Sequence, residues 1–272
     1  MRHKILYAIA LPIISFILVI TLDPAHVYGK APQTMPHLIQ TVSEQDIFEG
    51  MLALGLLETP VLVEDDCDKA YENVKACVVR INMGNAYGSG VIWEMTSEKI
   101  VIATNKHVLE FWDEQVSNVL FPQGSYASAE LLGISEEYDL GFLTVDNKEL
   151  DYTELEQLRY VHFDMNVYNE MKEGDEIFCV GATGRHSEGV ENVVQSNGIY
   201  LQGTIGNMWQ YIEEFEEYMI YGYGYGTPGI SGGGTFDPKG NFIGMISGGT
   251  MDGEIASVPL TIIVEAYAEL TE

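Results

Sequence analysis

Positive charge is scarce in this chain. Thirteen Lys and Arg stand against 41 Asp and Glu, for a formal charge of −28. Nucleic-acid binding needs clustered cations and is not expected. The acidic excess is spread along the chain, which reads as solubility rather than attraction of a basic partner. Cysteine is scarce too. The odd count of three (Cys67, Cys77 and Cys179) argues against a disulfide framework. Residues 64–68 form an acidic turn, and Cys67 and Cys77, ten apart across it, could pair in an exported protein. Cys179, inside the apolar run Glu176–Val180, reads as core. The six histidines show no paired zinc spacing, so neither a metal nor a cofactor is expected. There is no Gly-Lys-Ser/Thr. The run Gly222-Tyr223-Gly224-Tyr225-Gly226 leads into Pro228 and more glycine, not a helix, which excludes a phosphate-binding loop.

Long hydrophobic runs are confined to one place. Arg2, His3 and Lys4 precede an almost wholly apolar Ile5–Ile20, and Gly29-Lys30-Ala31 offers small residues for cleavage. Residues 1–31 are therefore expected to be a signal peptide, with a mature start near Pro32 and a secreted or extracytoplasmic location. The alternative is an uncleaved membrane anchor through residues 5–20, although Pro12 interrupts that run. The remainder, within a chain of 272 residues with 46% hydrophobic and 20% charged, suits one globular unit or two small subdomains.

Residues 32–73 read as an N-terminal extension. A polar linker (32–43) leads to Glu44–Leu57, whose apolar spacing predicts a short amphipathic helix capped by Ser43. From residue 74 short β-rich runs follow one another, separated by Gly, Asn, Asp or Ser. Six runs between 76 and 145 predict a closed antiparallel barrel. An irregular acidic bridge spans 150–171, and a second series of strands runs from Glu176 to Pro259. Pro259–Leu270 predicts a terminal helix. One stretch conflicts with this pattern. Met208, Ile212, Phe215 and Met219 fall at helical spacing, with four glutamates between them, and predict an insertion with helical character.

The chemistry gathers around Gly226-Thr227-Pro228-Gly229-Ile230-Ser231-Gly232-Gly233-Gly234. Glycine allows such a loop to turn sharply and aim its N–H groups inward, the setting of an exposed nucleophile beside an oxyanion hole. Upstream, the apolar run Ile100–Ala103 ends in Thr104-Asn105-Lys106-His107, and Asp139 opens the strand-like Leu140–Val145. His, Asp, Ser is one of the chain orders a catalytic triad takes. With Gly88-Ser89-Gly90 and the later Lys239–Met245 hairpin, these stretches make residues 74–262 resemble the trypsin-like serine proteases, most closely the HtrA/Deg branch.

That resemblance implies an all-β fold of two antiparallel six-stranded β-barrels, at about 74–150 and 174–260, within a protease domain of 74–272. It implies a serine endopeptidase acting on protein or peptide substrates. Ser231 would be the nucleophile, His107 the base and Asp139 its orienting acid, with the amides of Gly229 and Ser231 as oxyanion hole. Tyr225 would lie at the floor of the substrate pocket, and Ser247, Gly248 and Gly249 along the edge that pairs with substrate. Tyr225 is not an acid, which argues against Lys or Arg preference. The cysteine pair that brackets the histidine in many animal trypsins has no match, and no PDZ-like segment is expected. Ile230 stands where the family has Asn or Asp, so activation through an ion pair to a new N-terminus is not expected. The rival reading is a catalytically inactive homologue that binds peptides.

Overall fold

Residues 42–84, 86–183 and 197–271 are described by the computed structural model of the chain. The expected leader, nearly all of the expected linker and the start of the expected strand 190–202 lie outside them. Helix α1 (Glu44–Ala53) begins where its capping chemistry dictates. The Ser43 hydroxyl accepts from the Asp46 N–H at 3.1 Å, and the Asp46 carboxylate accepts from the Ser43 N–H at 3.0 Å. Phe48 is its buried anchor. Helix α2 (Cys67–Val74) is capped by Asp66, which gives the acidic turn at 64–68 a structural task. Cys67, Cys77 and Cys179 are all free thiols, so the allowed Cys67–Cys77 bridge is not formed.

Seven strands follow: β1 (Val78–Met83), β2 (Ala86–Met95), β3 (Lys99–Thr104), β4 (Ser117–Leu120), β5 (Tyr126–Ala127), β6 (Glu130–Ile134) and β7 (Gly141–Asp146). They form one antiparallel sheet in the order β5-β4-β1-β2-β3-β7-β6. The edge strands β5 and β6 are separated in the chain only by Ser128 and Ala129. Such a link spans at most about 11 Å, so the sheet must curl back on itself. This is the first expected barrel, with seven strands rather than six and its hydrogen-bonded ring left open. The added strand, β5, is two residues long and too short to show as alternation.

Helices α3 (Tyr152–Leu155) and α4 (Met165–Glu170) occupy the expected bridge. Then come β8 (Glu176–Thr183), β9 (Asn197–Ile212), β10 (Glu217–Tyr223), β11 (Gly234–Phe236), β12 (Phe242–Gly249) and β13 (Glu254–Pro259). These six close into a ring, β10-β13-β12-β11-β8-β9. Helix α5 (Leu260–Thr271) ends the chain. Its Tyr267 packs against Phe142 of the first sheet and against Trp93, which in turn meets Phe242 of the ring edge-on. Apolar burial of this kind, worth about 25 cal/mol per Å², joins the two sheets into one core.

The expected helical insertion at 208–219 is not formed. Met208 and Ile212 lie on β9, Met219 lies on β10, and Phe215 sits in the turn between them, where Glu216 adopts φ +55°. Trp209, Tyr211, Tyr218 and Ile220 are strand formers interleaved with the helical positions. Tyr211 and Tyr218 face each other directly, and Trp209 stacks on Tyr218 at 5.7 Å. Cross-strand aromatic pairing and ring closure outweigh the helical period.

Candidate active site

Register brings the first two groups together. β3 and β7 are antiparallel neighbours with Thr104 opposite Gly141. His107 lies just past the end of β3 and Asp139 just before the start of β7, so both emerge at the same end of the sheet. His107 Nδ1 lies 2.8 Å and 3.0 Å from the two Asp139 carboxylate oxygens, and the His107 backbone N–H also donates to Oδ1 at 3.0 Å. Burial alone would raise the Asp139 pKa. Hydrogen bonds and charge from His107, with a hydrogen bond from Ser247, outweigh it and hold the carboxyl below its ordinary range. The turn that carries Asp139 is held by Lys106, whose Nζ donates to the carbonyls of Ser135 and Glu136. Buried Asn105 donates to the Asp139 carbonyl at 3.0 Å and to Ser247 Oγ at 2.9 Å.

Ser231 arrives from the other sheet, on the loop between β10 and β11. The Ser89 N–H donates to the Ser231 carbonyl at 2.8 Å. Ser89 Oγ donates to the Gly229 carbonyl at 2.7 Å and accepts from the Ala182 N–H at 2.9 Å. One buried hydroxyl of the first sheet thus clamps the loop to β8. Gly232 makes the close approach possible. It sits at φ +86°, and a Cβ there would lie 2.0 Å from the Ser89 carbonyl oxygen. Ile230 is 2% exposed and packs against Gly181, where a Cβ would come within 2.8 Å of its Cγ1. Burial of an apolar side chain therefore holds the loop at the position where an acid was expected.

Ser231 Oγ donates to the Ser247 carbonyl at 3.0 Å. Ser247 thereby links Ser231 to Asn105, and through it to the Asp139 segment. Among the described residues His107 Nε2 has no hydrogen-bond partner, and the Gly229 and Ser231 amides donate to nothing. Gly229 adopts φ +90°. The site thus holds a hydroxyl, an imidazole braced by a carboxylate, and two unengaged N–H groups on one loop.

Ser247, Gly248 and Gly249 end β12 inside the closed ring, with Gly248 and Gly249 opposite Ala256 and Ile255 of β13. A cavity of about 580 Å³ borders Gly248 and Gly249, with Tyr211, Phe215, Tyr221 and Glu254 among its walls. Tyr225 does not line it and is 68% exposed. The adjoining Gly226 lies against Gly249, to which a Cβ would come within 2.5 Å.

Three residues of this network were given no role from sequence. Ser89 carried a visible signal, a small polar residue flanked by glycine inside an apolar strand. Asn105 carried less, as one of three polar residues at a strand end. Glu217, which contacts Asp139, carried none, being one of four glutamates in a short stretch.

The trypsin-like peptidase domain family matches residues 88–245, more than half of the chain. No curated protein matches the sequence. Among solved structures, a variant of the HtrA-type protease AlgW with a tripeptide superposes with a TM-score of 0.60 at 22% identity, over 76% of this chain and 64% of that one. AlgW with a tripeptide gives 0.59 at 23% identity, over 76% and 64%. AlgW with a decapeptide gives 0.59 at 19% identity, over 76% and 67%. This chain thus spans 64% of the length of the first two, and the likeness is one of fold.

Proposed function

Because the chain belongs to the trypsin-like peptidase domain family, we propose that it is an exported serine endopeptidase working through Ser231, His107 and Asp139. One observation carries the reading. The imidazole of His107 is braced by both oxygens of Asp139, and the Ser231 loop is tied to the same sheet through the Ser89 N–H.

In the proposed reaction Ser231 Oγ turns from the Ser247 carbonyl toward His107 Nε2. Oγ bonds to the scissile carbonyl carbon while its proton passes to Nε2. The N–H groups of Gly229 and Ser231 receive the negative charge that develops on the carbonyl oxygen. The C–N bond then breaks, and the amine leaves with the proton from Nε2. Water hydrolyses the acyl-enzyme by the same steps in reverse order. Asp139 keeps the Nδ1 proton in place and stabilises the imidazolium. The Ser247–Gly249 segment, paired with β13 on one side, would offer its other side to an extended substrate backbone. The AlgW structures with a tripeptide and a decapeptide support peptides as the substrate class. Export rests on the apolar leader of residues 1–31.

Hydrolysis of casein by variants tests the reading. Ser231→Ala and His107→Ala are each expected to remove nearly all activity, and the double variant to be little worse, since triad members act as a unit. Asp139→Asn should lower turnover by roughly 10⁴ by holding the wrong imidazole tautomer. A folded Ser231→Ala protein that cleaves at the wild-type rate would sink the proposal.

A further inference from the structure

Glu217 begins β10, in the closed ring, yet its side chain serves the other sheet. Its Oε1 accepts a hydrogen bond from the backbone N–H of Asp139 at 2.6 Å, across 78 positions of sequence. Its Oε2 is buried and has no hydrogen-bond partner among the described residues. A buried carboxylate oxygen without a donor is costly, and an acid is a poor choice for a purely structural brace. Burial pushes the Glu217 carboxyl up to about 7; the Asp139 N–H and Lys106 pull it down, and the Asp139 charge pushes it up. The groups facing it are therefore Asp139 from the loop before β7, Lys106 from the turn after β3, and Tyr138. The Tyr138 phenol is raised by burial first and then by Glu137, Glu265, Glu217 and Glu269.

We propose that Glu217 is a positioning residue for the His107–Asp139 pair, fixing the Asp139 backbone from the opposite sheet. The inference rests on the reading of that pair as catalytic. Asp139 Oδ1 takes both the ring and the backbone N–H of His107, so a shift of the Asp139 backbone disturbs two bonds at once. Above about pH 7, where the Glu217 carboxyl is ionised, its charge also favours the imidazolium that forms when Ser231 gives up its proton. Glutamine keeps the acceptor without the charge, and alanine removes both.

The test uses the full chain with Glu217→Ala and Glu217→Gln. Turnover is read on a fluorogenic peptide, and kcat/KM is followed from about pH 5 to 9. The far-downfield proton resonance of the His107 Nδ1–H···Asp139 bond is read in parallel, since it reports the pair's geometry without any turnover. Glu217→Ala is expected to lower kcat by roughly 10- to 100-fold with KM within about twofold, and to lose or broaden the resonance. Glu217→Gln is expected to keep kcat within about threefold, to keep the resonance, and to leave the acid limb of the profile within about 0.2 pH unit. The limb stays because the Glu217 carboxyl, pushed up to about 7 by burial, is already mostly protonated across it. A folded Glu217→Ala protein with wild-type kcat and an unchanged resonance overturns the inference. If Glu217→Ala does not fold, a folded Glu217→Leu protein with wild-type kcat and an unchanged resonance overturns it. A wild type that hydrolyses nothing defeats the peptidase reading instead, and the resonance still decides the role of Glu217.

Discussion

Ser89 carries more of the site than its size suggests. Its hydroxyl and backbone meet Gly229, Ser231 and Ala182, and its carbonyl accepts from Thr104 Oγ1 at 2.7 Å. Removing the hydroxyl leaves a carbonyl and an N–H without partners, at a cost of about 1–3 kcal/mol. Ser89→Ala is expected to fold, to lose about that much stability in urea melts, and to lower kcat more than it changes KM. Equal stability and equal kcat would contradict the clamp. The sequence around Ser231 was legible as a sharply turning loop because glycine spacing has a direct backbone meaning. How that loop is held was not legible. Ile230 looked like a defect in sequence, and only the buried neighbour Gly181 reveals it as a packing contact. The network of Ser89, Asn105 and Glu217 depends on side chains meeting across two sheets, which no local pattern encodes.

At the scale of elements, β3 and β7 place His107 and Asp139 by register alone, and both strands were readable as β-branched apolar runs. β5 was too short to read, and β9–β10 was misread. A helical period in four residues competed with strand propensity in their neighbours, and closure of the ring decided the outcome. The same hairpin brings Phe215 against the edge, where a Cβ on Gly248 would lie 3.0 Å from its ring. Tyr225 stands outside the cavity, and it is the Gly226–Gly249 contact that leaves little room for a long side chain between those segments. Profiling on a peptide library is therefore expected to show preference for an uncharged residue before the scissile bond. Dominance of Arg or Lys would show that the edge has been assigned wrongly.

At the scale of the whole molecule, the site lies where two sheets share a core, so its groups also affect stability. The Glu217 carboxyl titrates at about 7 against an ordinary 4.5. Between those values the folded chain binds more protons at this site than the unfolded chain does. Its contribution to stability is present at the acid end and is lost as pH rises through the window. Asp139 works in the opposite sense. Its lowered pKa adds stability above the ordinary 3.8, which is lost as pH falls below it. Glu217→Gln is thus expected to melt close to wild type at about pH 5 and above it at about pH 8. Identical pH dependence in the two proteins would contradict the assigned shift.

The central claim is that Ser231 is a nucleophile activated by His107. Labelling with a fluorophosphonate probe, followed by mapping of the modified peptide, reads this most directly. The account predicts modification at Ser231 in the wild type and slowing by orders of magnitude in His107→Ala with the fold intact. An unlabelled Ser231 in folded wild-type protein, or labelling as fast without His107 as with it, would contradict the account.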